Sequence, residues 1–235
     1  MKHITRIAAL ALAVSMLSVA AFAAPNYTPS VEQKETPQIV APKTEHQVDG
    51  KPAIVVKDEN GEVKAADAVD TVKITGLPTS KKDNVPAETL EDGSTVPTEA
   101  TEATEPLTEE EVAVQESLEK AYNQIAEAKD LSEVAPELPK VLEDLKVETP
   151  VEELVVQDLF NITLPEEMTK ALEIEGNTID ISFQMEIEEG KQLIVMVQTA
   201  DGQWVIVSGD AVVVNDDGTV TISFPCVGNV AFIVA

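Results

Sequence analysis

The sequence predicts an α+β protein in which a mainly antiparallel, β-sandwich-like C-terminal domain follows a helical hairpin, with a small N-terminal β segment and disordered linkers before it. Three observations carry that prediction. Ile179, Ile181, Phe183, Met185 and Ile187 alternate with Asp180, Ser182, Gln184, Glu186 and Glu188, a strict period of two that turns one strand face to a core and the other to water. Residues 193–197 and 204–207 are nearly continuous apolar runs joined by Thr199-Ala200-Asp201-Gly202-Gln203, as expected of central strands covered on both faces and linked by a hairpin. Val114, Leu118, Ala121, Ile125 and Ala128 recur at three-to-four spacing, the stripe of an amphipathic helix.

The elements follow in order. Residues 1–23 read as a secretory signal peptide: Lys2 and Arg6 open it, an apolar run follows, and Ala21 and Ala23 supply the small-x-small cleavage pattern before Ala24. That run is short for a membrane span, which needs about 20 residues. Residues 24–50 hold Pro25, Pro29, Pro37 and Pro42 among polar neighbours and read as a flexible lead-in. In 51–76, residues 53–57 and 62–66 flank the turn chemistry of Asp58-Glu59-Asn60-Gly61, and 71–75 offer a third short strand. Residues 77–106 are rich in Thr, Glu and Pro and read as an acidic linker.

In 107–148, Thr108 and Glu111 form a capping-box pattern at the head of the striped helix, and 139–145 present Val141, Leu142 and Leu145 as its short partner. In 149–235, strands are expected at 154–156, 212–214, 219–224 and 230–234 besides those above, with a short helix near 165–172. A stripe or alternation of this kind is packing surface, and the economical architecture is a sandwich of two sheets.

Charge narrows the function classes. The chain has 16 Lys and Arg against 43 Asp and Glu, a net charge of -27. Such a surface repels DNA, RNA and anionic lipid, so nucleic acid and membrane insertion after signal cleavage are excluded as expectations, and a basic partner is favoured. One cysteine, Cys226, allows no internal disulfide, so the fold must rest on core packing.

Asn26-Tyr27-Thr28-Pro29-Ser30-Val31-Glu32-Gln33-Lys34, Leu154-Val155-Val156-Gln157-Asp158-Leu159-Phe160 and Asn215-Asp216-Asp217-Gly218-Thr219-Val220-Thr221 resemble small secreted proteins of Gram-positive, clostridia-type bacteria. The resemblance covers most of the mature chain. It implies the compartment and a C-terminal sandwich-like domain; it carries no activity and no functional residue.

The residues that chemistry would need are sparse. His46 stands in the lead-in and Cys226 beside Pro225, and a nucleophile needs a base held within hydrogen-bond reach. Structural zinc needs four Cys or His ligands and catalytic zinc about three protein ligands. Glu186, Glu188 and Glu189 are the nearest approach to a carboxylate cluster, with two of them on a wet strand face. Trp204 reads as a core anchor in an apolar strand, not as a sugar platform. Asp201-Gly202 and Asn215-Asp216-Asp217-Gly218 lack the spacing of a calcium loop and read as turns. No catalytic, cofactor or metal residue is therefore assigned. The expectation is a secreted, non-catalytic structural or interaction protein with an unidentified extracellular or cell-surface partner; the alternative is a binding module for surface glycans or divalent cations.

Overall fold

A computed structural model describes residue 31 and residues 36–42, 46–77, 107–185, 187–188 and 190–235. The segment 1–23 read as a signal peptide, about half of the stretch 24–50 and all of 77–106 but residue 77 lie outside the described residues. In chain order the elements are strands β1 (Gln38–Val40), β2 (Gln47–Val48), β3 (Lys51–Lys57), β4 (Val63–Ala68) and β5 (Lys73–Gly76), then helices α1 (Glu109–Glu127) and α2 (Leu138–Asp144). Strand β6 (Val156–Thr163), helix α3 (Glu166–Leu172) and strands β7 (Thr178–Gln184), β8 (Leu193–Gln198), β9 (Trp204–Val207), β10 (Val212–Val214), β11 (Thr219–Phe224) and β12 (Asn229–Val234) complete the chain.

The strands form two antiparallel sheets. An outer sheet of seven strands runs β10-β11-β7-β3-β2, with β1 also on β7 and β4 on β3; an inner sheet of five runs β5-β6-β12-β8-β9. Phe160, Phe183 and Phe232 meet edge to face between the sheets, with ring centroids 4.9 to 5.9 Å apart. Aliphatic residues of both sheets surround them, and α3 adds Met168 and Leu172 to the same core. The helices form a third layer on the far face of the inner sheet: Leu118, Ala121, Ile125, Leu138 and Leu142 pack on Leu159, Ile194, Met196, Trp204, Ala231 and Ile233.

The inner sheet is thus buried on both faces. This is why β8 and β12 read as unbroken apolar runs while β7, with one wet face, alternates. Two of the crossings between sheets join edge strands: a 3-10 turn at Val69–Thr71 carries the chain from β4 to β5, and another at Gly209–Ala211 carries it from β9 to β10.

Local chemistry accounts for the boundaries. The Thr108 side chain accepts from the Glu111 amide (3.2 Å) while the Glu111 carboxylate accepts from the Thr108 amide (2.9 Å), starting α1 as the capping-box pattern predicts. Asp58 closes the β3–β4 turn by accepting from the amides of Asn60 and Glu62, each at 2.9 Å. Several expectations need correction. The alternating strand stops at Gln184 rather than Ile187. Residues 154–156 contribute only the start of the strand; a 3-10 turn at Val151–Glu153 precedes it and β6 begins at Val156.

Trp204–Val207 is an edge strand, not a central one. It is apolar because its two faces meet the sandwich core and the helical layer, although among the described residues it pairs with β8 alone. The short strands of 51–76 are shared between the sheets, β3 with β7 and β5 with β6.

Candidate functional site

His46 is exposed, just before β2, and Cys226 is half-buried against the sandwich core beside β11. Burial raises the Cys226 thiol above its usual range, which opposes the thiolate that nucleophilic chemistry requires. Glu188 is exposed; Glu186 and Glu189 lie outside the described residues. Trp204 is buried at 6% exposure and donates its indole N–H to Gln124 Oε1 (3.0 Å) on α1. Its faces are in the helical core, in keeping with its reading as an anchor.

The two acidic turns close on themselves. Thr199 donates its hydroxyl to Asp201 Oδ1 and its amide to the Gln203 carbonyl (2.8 Å), and that hydroxyl is the leading reason the Asp201 carboxyl titrates low. Asp217 Oδ1 accepts from the Thr219 hydroxyl (2.7 Å) and amide (3.2 Å). Asn215 Nδ2 donates to the hydroxyls of Thr219 and Thr221, each at 3.0 Å. Gly218, at φ 78°, makes the left-handed step that this turn requires. Among the described residues no three His, Cys, Asp or Glu side chains come close enough to hold a metal ion.

A feature that sequence reading missed lies between α1 and the inner sheet. Asn161 on β6 donates through Nδ2 to Asn229 Oδ1 on β12 (2.9 Å), and Thr163 donates its hydroxyl to Asn161 Oδ1 (3.0 Å). Asn229 Nδ2 in turn donates to Gln198 Oε1 on β8 (2.9 Å) and to Ser117 Oγ on α1 (2.9 Å). Gln198 Nε2 reaches Gln124 Oε1 (2.9 Å), which also receives the Trp204 indole.

This polar seam crosses the β6, β12, β8 and β9 ends and pins the helix to the sheet. Asn161 and Asn229 are buried at 8% and 2% exposure, so their amides need partners and find them in one another. Gly228 permits the close approach of strands here: a Cβ at that position would stand 2.8 Å from the Gln198 carbonyl. A cleft of about 280 Å³ opens beside the seam, with Ser117, Lys120, Thr199 and Gly202 on its walls. The sequence signal is slight: Gln198 ends a strand and Asn229 begins one, where a polar residue looks locally like loop, while Asn161 lies within β6 between Phe160 and Ile162.

Fold and site together define a three-layer β/β/α sandwich in which the buried amides of the seam and the carboxylates of Asp201 and Asp217 bond within the fold. No known family model, curated protein or solved structure matches the chain. Among the described residues, no helix is long and apolar enough to cross a membrane.

Proposed function

We propose that the protein is a secreted, non-catalytic module that acts outside the cell as a structural or interaction partner of a basic protein or surface component. The observation that carries this reading is the fate of the polar side chains. The carboxylates of both acidic turns bond to their own hydroxyls and amides, and the buried amides bond across the seam. What is presented outward is an acidic surface on a chain of charge -27, which speeds encounter with cationic partners and repels anionic ones.

The leader pattern at 1–23 and the resemblance to small secreted proteins support the compartment. N-terminal sequencing of protein from culture fluid should begin at Ala24; an intact Met1 on a membrane fraction overturns secretion. Binding of the mature chain to an immobilised lysine polymer should be lost between physiological and about 1 M salt, as the Debye length falls from roughly 8 to 3 Å. Retention that ignores salt overturns the charge-led reading.

The second reading, a glycan or cation module, is favoured by a small recess of about 120 Å³ lined by the oxygen-bearing side chains of Ser182, Asn215, Asp217, Thr219 and Thr221, which also bond to one another. Melting at matched ionic strength separates the two. A midpoint raised by calcium and not by magnesium supports the cation module, because only binding that prefers the native state stabilises it.

A further inference from the structure

β10 ends the outer sheet: among the described residues it pairs with β11 and no other strand. It consists of three valines, of which Val213 is 50% and Val214 60% exposed. Val214 lies opposite Val220, which is fully buried. Val214 is therefore on the core-facing side of the outer sheet yet beyond the cover of the inner one. A groove of about 220 Å³ runs beside it, walled by Lys191, Gln192, Leu193 and Gly209.

The backbone is placed to accept a strand. The Asn215 amide donates to the Thr219 carbonyl (2.8 Å), so antiparallel alternation makes Asn215 and Val213 the positions bonded to β11 and turns the groups of Val212 and Val214 away from it. The Val212 amide is taken by the Gly209 carbonyl. The Val212 carbonyl and both Val214 groups point to the open edge. Of the devices that blunt native edges, Val212–Val214 has shortness alone, and no Lys, Pro or bulge.

We propose that β10 is a docking strand, which takes up by strand addition an extended partner segment of small apolar residues flanked on both sides by Lys or Arg. The inference rests on the reading of the chain as an interaction module and gives that module its contact point. Charge selects the occupant. Exposed Asp210 precedes the strand and exposed Asp216 and Asp217 follow it, while Lys191 is the cation among the groove residues.

The attraction therefore comes from the acids beyond the two strand ends. A second copy fits poorly: antiparallel pairing centred on Val213 would bring Asp210, in the turn before the strand of one copy, toward Asp216, in the turn after the strand of the other, at both ends, and like charges repel. A partner with cations at those positions turns both repulsions into attractions, while its backbone supplies the missing ladder.

The test uses the full mature chain and a synthetic peptide of about nine residues, in which about five alternating valines and threonines, a typical strand length, stand between paired terminal lysines. Fluorescence anisotropy should show binding that weakens about tenfold or more in Val214→Pro, with an unchanged melting midpoint, because that proline removes a donor β11 does not use. Val214→Lys should weaken it similarly and decides the matter if the proline variant fails to fold. The same peptide with a central proline should also bind about tenfold more weakly.

Equal binding of both peptides to the wild type and both variants overturns the docking strand and leaves the charge-led reading standing. No binding of either peptide to the wild type overturns both. A wild-type dimer in sedimentation that Val214→Lys dissolves shows that a second copy holds the edge, and overturns the assigned partner.

Discussion

The inner and outer sheets are built from similar strands but live in different surroundings. The inner sheet has the outer sheet on one face and helices on the other, so β8 and β12 carry buried residues at every position but their last. The outer sheet has one wet face, where Ser182 meets Thr221 (2.9 Å) and Ser223 donates to Asp180 (2.6 Å). The buried amides of the inner sheet, Asn161 and Asn229, are gathered into one seam, whereas polar groups on the outer sheet are spread over its surface. Stability should therefore be concentrated in the middle layer, and contact with partners left to the outer layer and its edges.

Removing residues 107–148 is the strongest challenge to that contrast. It would strip the cover from Leu159, Ile194, Met196, Ala231 and Ile233, and the shortened chain should lose cooperative melting by calorimetry and aggregate. A sharp transition near that of the parent would mean that the two sheets suffice. The next largest effect is Trp204→Ala in the full chain, which should cost about 3 to 5 kcal/mol in urea unfolding through the lost burial and the residual cavity. A change within about 0.5 kcal/mol, the range of ordinary surface substitutions, would place the side chain outside the helical core.

A matched pair sharpens the comparison. Asn229→Ala leaves Asn161 Nδ2 and Gln198 Oε1 without their partner and should cost about 1 to 3 kcal/mol. Ser182→Ala, on the wet face of β7, should stay within about 0.5 kcal/mol by the same unfolding measurement. Equal losses would erase the distinction between seam and surface.

The smallest effect is a pH dependence on the outer sheet. The Lys64 ammonium (3.0 Å) and the amides of Glu62 and Asn60 hold the Asp58 carboxyl below its ordinary 3.8 in the folded chain. That contribution is complete above the unfolded value and is lost as pH falls through the lower folded one. Unfolding midpoints taken from pH 5 to 2 should fall slightly more for the wild type than for Asp58→Asn. Parallel curves would show that the turn does not depend on the ionised group.

Much of the local structure was legible. The period of two in β7, the capping box of α1 and the turn residues at Asp58-Glu59-Asn60-Gly61 and Asn215-Asp216-Asp217-Gly218 act over a few residues, and each appears in the fold where its pattern lies. The candidate site was far less legible. Asn161, Asn229, Gln198 and Ser117 come together from separations of 31 to 112 residues, and no spacing rule links them. The exposed valines of β10 were read as an ordinary strand, since exposure depends on how far the opposite sheet extends.

Except for β1 and β2, which fall in the stretch read as a flexible lead-in, and most of β6, the sequence by itself determined which segments are strands and which are helices, which face of β7 and α1 is apolar, and that the chain is acidic with a single thiol. Those properties follow from side-chain chemistry at intervals of two to four residues, where the backbone period alone assigns a face. Only the tertiary structure decided that β3 and β5 divide between two sheets, that β9 lies at an edge though both its faces are covered, and that the helices form a third layer. Strand partnership and layer order are choices among non-local pairings with similar local patterns, and only the packing of the whole core distinguishes them.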